Sequence, residues 1–113
     1  MPPVLFAGVP VADHPAARGW YERLFGRAPD MVPHETEVVW QVAEAGWVYV
    51  VADAERAGRA LVTVIVDDLD GLLGGLVERG LEAGAVETYG NGVRRAEIRD
   101  PEGNRIAFGQ VPG

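Results

Sequence analysis

Two histidines, His14 and His34, stand among 113 residues that include no cysteine, no serine and no lysine. That inventory removes several chemistries at once. A Ser-His-Asp or Cys-His nucleophile is excluded, since only Thr36, Thr63 and Thr88 carry aliphatic hydroxyls. Disulfides and Cys-ligated metals are excluded too. Gly71-Leu72-Leu73-Gly74-Gly75 falls within a helix pattern and lacks the lysine of a phosphate loop. His34 lies in Pro33-His34-Glu35-Thr36-Glu37, where an imidazole and a carboxylate three apart suit a metal, although such a segment reads first as a solvated loop or edge strand. His14, in Asp13-His14-Pro15, reads as an exposed residue at a helix start. The remaining polar constellation is Arg95, Glu97 and Arg99, alternating with Ala96 and Ile98. These three either point into a cleft and orient a polar ligand, or form a solvent-facing ladder of little energetic worth. Glu97 or Glu37 with a tyrosine remains an acid–base option, because burial tunes carboxylates.

The elements that must position these residues occur twice. Val9-Pro10-Val11-Ala12-Asp13 precedes a helical run from about Pro15 to Phe25, and Val64-Ile65-Val66-Asp67-Asp68 precedes another from about Leu69 to Arg79. Asp13 is an N-cap with Pro15 in the first turn, and Gly26 a C-cap. Gly19 inside the first helix costs about 1 kcal/mol relative to alanine, which suggests a close neighbour there. Asp68 or Asp70 caps the second helix, and Gly80 closes it. Strands are expected at residues 4–11, 30–33 (an edge, bracketed by prolines), 38–43, 47–52, 61–66, 85–88, 93–99 and 105–110. The hairpin of the first half turns at Glu44-Ala45-Gly46, that of the second at Asp100-Pro101-Glu102-Gly103-Asn104. The run from Leu61 to Val66 is almost wholly apolar, as expected of a strand covered on both faces. The fold class is therefore α+β. One domain spans 1–113, with module one at about 1–57, module two at about 58–113, and a polar crossover from Asp53 to Arg59.

Composition fits a packed globule: 48% of residues are hydrophobic and three are tryptophan. The net charge of −7 argues against nucleic-acid binding; it reads first as a solubility feature and would favour cationic ligands only modestly. No apolar run is long enough to span a bilayer, and Met1-Pro2-Pro3-Val4 does not read as a signal peptide, so a cytoplasmic location is expected.

The duplicated β-α-β-β-β pattern, both helix starts, the Trp20-Tyr21 and Leu24-Phe25-Gly26 groups, and above all Arg99-Asp100-Pro101-Glu102-Gly103-Asn104-Arg105-Ile106 resemble the vicinal oxygen chelate superfamily. That superfamily includes glyoxalase I, extradiol dioxygenases and bleomycin-resistance proteins. The resemblance covers essentially the whole chain. It implies a curled mixed eight-stranded sheet of two modules, helices outside, an inner cleft, and a homodimer in which modules of two chains share a cleft.

The resemblance also assigns metal-ligand positions on the first and last strand of each module: Phe6, Leu61, Ala107, and Val50 or Tyr49. None is a normal ligand for a divalent cation, so no metal and no cofactor are expected, and neither glyoxalase I nor iron dioxygenase activity. With the family's strand parity, Phe6, Gly8 and Pro10 face the cleft, while Leu5, Ala7, Val9 and Val11 pack under helices. Phe6, Trp40, Trp47 and Tyr49 would supply aromatic contact, although either of Trp40 and Gln41 could be the inward one; Arg95, Glu97 and Arg99 would orient the ligand. The leading expectation is a metal-independent protein that sequesters a hydrophobic or aromatic drug or metabolite. The alternatives are an enzyme of the same superfamily using a carboxylate or a relocated metal site, and a subunit whose cleft is only structural.

Overall fold

The computed structural model describes residues 3–113; Met1 and Pro2, at the start of the expected first module, lie outside them. The described residues form eight strands and two helices in the expected order. Module one comprises β1 (Leu5–Val11), α1 (His14–Phe25), β2 (Met31–His34), β3 (Glu37–Ala43) and β4 (Gly46–Ala52). Module two comprises β5 (Leu61–Ile65), α2 (Leu69–Glu78), β6 (Glu87–Thr88), β7 (Arg94–Arg99) and β8 (Arg105–Gln110). Each module builds one mixed four-stranded sheet, ordered β1-β4-β3-β2 and β5-β8-β7-β6. In both, the first strand runs parallel to the last and the remaining pairs are antiparallel. The parallel pairing follows from the helix crossover, which returns the chain to the same end of the sheet.

Both helices start as their sequences direct. The Asp13 and Asp68 carboxylates accept from the N–H groups of Ala16 and Gly71, three residues on. Gly26 ends α1 in the left-handed region at φ 74°, where a side chain would be strained. The first helix begins one residue earlier than its proline suggests, and His14 is not exposed. It is 7% accessible, and its Nε2 lies 3.1 Å from the Val50 carbonyl, which accepts its proton. A ring at the first helical position folds back over β4 when the strand below offers an acceptor. Gly19 has no neighbour where a Cβ would sit, so close packing does not explain it.

One apolar cluster joins the helix-covered faces of both sheets. Val9, Val11, Val38, Trp40, Val48 and Val50 come from the first sheet, Ile98, Ile106 and Phe108 from the second, with Tyr21, Leu24, Leu69 and Leu76 from the helices. The opposite, inner faces are not packed on each other. Leu61, Thr63 and Ile65 are exposed while Val62 and Val64 pack on the core, so β5 is covered on one face only. Its apolar run came from filling an uncovered face with Leu and Ile, which composition alone cannot distinguish from burial. The expected strand at 85–88 shrinks to Glu87 and Thr88.

The Asp-Pro-Glu-Gly-Asn turn ties the modules together. Asp100 Oδ1 accepts the N–H groups of Glu102 and Asn104, each at 2.9 Å. Its Oδ2 accepts the Tyr21 hydroxyl and Asn104 Nδ2, each at 2.8 Å. Asn104 Nδ2 also donates to the Pro10 carbonyl, and its Oδ1 accepts Ala60 N–H. The Glu102 carboxylate receives the N–H groups of Ala12 and Asp13 at 2.6 and 3.0 Å, just before α1. Asp100 and Asn104 are buried yet fully partnered, so this turn locks module two onto module one. Burial, then the neighbouring Asp100 carboxylate, push the Tyr21 phenol well above its ordinary value.

Candidate functional site

Register decides what the inner faces carry. Phe6, Gly8 and Pro10 of β1 lie beside Trp47, Tyr49 and Val51 of β4, which lie beside Gln41, Val39 and Glu37 of β3. Their neighbours Val38, Trp40, Val48 and Val50 face the helices and are buried. Of the two candidates for the fourth metal-ligand position, Tyr49 is therefore the inward one and Val50 is core.

Trp40 does not belong to the site. It is fully buried, 5.2 Å from Phe25 and 6.3 Å from Tyr21 between ring centroids, and its indole N–H donates to the Arg27 carbonyl. Its role is to anchor β3 to α1, and Gln41 takes the inward place.

The other three aromatics come together on the first sheet. Phe6 and Trp47 stack with centroids 5.8 Å apart and planes 7° from parallel, and Phe6 remains 47% exposed. Tyr49 lies across β1 at Gly8. A Cβ on Gly8 would meet the phenol Cζ at 2.6 Å, so the absent side chain makes room for the ring. Beyond it an open hollow of about 680 Å³ has Gly8, Pro10, Tyr49 and Val51 as its floor. The crossover supplies its rim through Asp53, Glu55, Arg56 and Arg59, with Ala60 just beyond it. Arg56 is paired with Asp53 at 2.8 Å, which holds the Asp53 carboxyl below its ordinary value. The rim residues were not legible as site residues, because a polar crossover looks the same whether it borders solvent or a hollow.

Arg95, Glu97 and Arg99 share one face of β7, as their alternation predicts; it is the second sheet's inner face, with Arg105 and Ala107 opposite on β8 and Leu61, Thr63 and Ile65 on β5. Glu97 bridges two guanidiniums, Arg105 at 3.1 Å and Arg95 at 3.3 Å. Arg105 was missed by the sequence reading, although it follows the turn directly and shares parity with Ala107.

A metal does not fit here. The positions that family resemblance assigns to ligands hold a phenyl, an isobutyl, a methyl and a phenol, and among the described residues no three His, Cys, Asp or Glu side chains cluster suitably. His34 is exposed, with Nδ1 3.0 Å from the Thr36 hydroxyl and Nε2 3.6 Å from Glu37. It forms a local polar group at the edge of the first sheet.

No protein-family model matches this chain, and neither does any curated protein. Solved structures do. A glyoxalase/bleomycin resistance protein from Catenulispora acidiphila DSM 44928 is 52% identical, with TM-score 0.92, over 98% of this chain and 100% of its own. TnmS3, an antibiotic binding protein from Streptomyces sp. CB03234, is 24% identical with TM-score 0.77, over 99% and 98% of the two chains. A bleomycin-binding protein complexed with bleomycin is 18% identical with TM-score 0.78, over 96% and 98%. The last two likenesses speak for the fold. Half-identity over the full length says more, and places this chain in the glyoxalase/bleomycin resistance protein family, within the vicinal oxygen chelate superfamily.

Proposed function

We propose that this protein binds a hydrophobic or aromatic small molecule on the inner sheet faces, without a metal, and acts by sequestering it. The observation that carries this reading is the stack of exposed Phe6 on half-buried Trp47 beside the Tyr49-floored hollow, on a surface whose metal-ligand positions hold no normal metal ligand. Aromatic rings held rigid on a sheet offer a flat ligand contact area at little entropic cost. Fold neighbours that bind bleomycin or another antibiotic make sequestration a natural use of such a surface. Arg95, Glu97 and Arg99 supply the polar end of the site.

The active form in this reading is a homodimer. β1 and β5 are the outer strands of their sheets, β1 covered by the module-two turn only near Pro10, and they present exposed Leu5, Phe6, Leu61 and Ile65. Apolar open edges of this kind invite pairing, and a second copy would cover them while setting a first-module face against a second-module face.

Native mass spectrometry of the purified protein, beside elemental analysis for metals, tests the proposal. A metal-free dimer carrying a small organic adduct is expected. Zinc, iron, nickel or manganese at one equivalent per chain would overturn it and redirect attention to enzymatic chemistry.

A further inference from the structure

The second sheet's inner face is basic although the chain as a whole carries −7. Arg99 and Arg105 are directly opposite each other across β7 and β8. Like charges in such a cross-strand pair repel. Only one carboxylate on these two strands faces them, Glu97, and it is engaged by Arg105 and Arg95. Glu87, opposite Arg95 on β6, is exposed and takes the Tyr89 hydroxyl at 3.4 Å. Among the described residues Arg99 makes no ion pair. In the same row as the two arginines lies Leu61, exposed, and further along β5 on the same face lies Ile65, also exposed. Ala107 leaves the floor between them small.

We propose that the ligand is an aromatic or apolar acid, and that Arg99 and Arg105 together hold its oxyanion. Two guanidinium forks present parallel N–H donors that match a carboxylate, sulfonate or phosphate. Leu61 and Ile65 take the adjoining apolar part. Glu97 positions Arg105 rather than touching the ligand. This assignment rests on the binding reading above and gives its ligand a charge opposite to the one the chain's overall charge favours.

Three probes of one shape test it: 2-naphthoate, 2-naphthalenemethanol and 2-naphthylmethylamine, titrated calorimetrically into the intact protein. The acid is expected to bind about tenfold more tightly than the alcohol, and the amine most weakly. Arg99→Gln and Arg105→Gln should each collapse the acid-to-alcohol ratio toward one. Arg18→Gln, remote on α1, should leave it unchanged. Equal binding of all three probes, or preference for the amine, overturns the inference and leaves the binding reading standing. An acid preference that survives both glutamine variants overturns the assignment of the arginines. Failure of all three probes to bind overturns the inference together with the reading it rests on.

Discussion

Trp47 and Phe6 are the residues whose removal should separate binding from folding. Phe6 is exposed and Trp47 half-buried, so Phe6→Ala should move the melting temperature little and Trp47→Ala less than loss of a fully buried tryptophan would. Each should weaken a flat aromatic probe about two- to tenfold, the worth of one aromatic contact. Trp40→Ala should do the reverse. It empties a fully buried site and orphans the Arg27 carbonyl, costing about 3–5 kcal/mol, readable as a shift in denaturant midpoint, while the ligand-facing side chains stay in place. Gly8→Ala should keep the fold while forcing the Tyr49 ring to swing from β1, changing probe affinity more than stability. At this scale the sequence showed which residues were aromatic, but not which faced the ligand side. Register is irregular between Gln41 and Ala43, and a slip of one residue exchanges the two faces of a strand. Family parity holds along β1 for Ala7, Val9 and Val11, which pack on the core, but not for Leu5, expected under the helices and 70% exposed because the strand starts beyond the reach of the helix above it.

Elements were the most legible level. Both helices, the order of all eight strands and the hairpin turns follow from caps, glycines and alternation, because those signals are local. What remained hidden was tertiary: His14 folded onto a strand, β5 covered on one face, and a turn whose side chains reach the other module. Tyr21→Phe should remove one of four donors to Asp100 and cost about 1.5–3 kcal/mol, the worth of a hydrogen bond to a charged group. Three aspartates at the surface hold arginines, two of them between elements and Asp53 within the crossover. Asp30 takes the Gln41 N–H and Arg27, Asp53 takes Arg56, and Asp70 takes Arg94 on β7. Those partners hold all three below the ordinary carboxylate range. Their folded pKa values lie below the unfolded ones, so their stabilisation is complete above about pH 5 and fades as pH falls below about 4. Thermal melts between pH 6 and 2 should show this decline, and Asp70→Asn should flatten it at low salt more than at high salt.

The whole molecule is two sheets whose inner faces lie apart around a shared core. The duplication was visible in the sequence, because each module repeats the same helix start and hairpin. The separation of the two inner faces was not, since nothing local says whether sister sheets close on each other or on another chain. Sedimentation equilibrium should find a dimer at micromolar concentration, and charging the exposed end of β1, as in Leu5→Glu, should shift it toward monomer and weaken probe binding with it.

The central claim is that an aromatic small molecule binds the inner face with no metal involved. Calorimetric titration of the neutral probe 2-naphthalenemethanol, with and without excess EDTA, tests it most directly. Saturable binding is predicted, unchanged by the chelator and weakened in the Phe6→Ala/Trp47→Ala double variant by more than either single variant weakens it. Binding that disappears with EDTA, or that persists undiminished in the double variant, would contradict it.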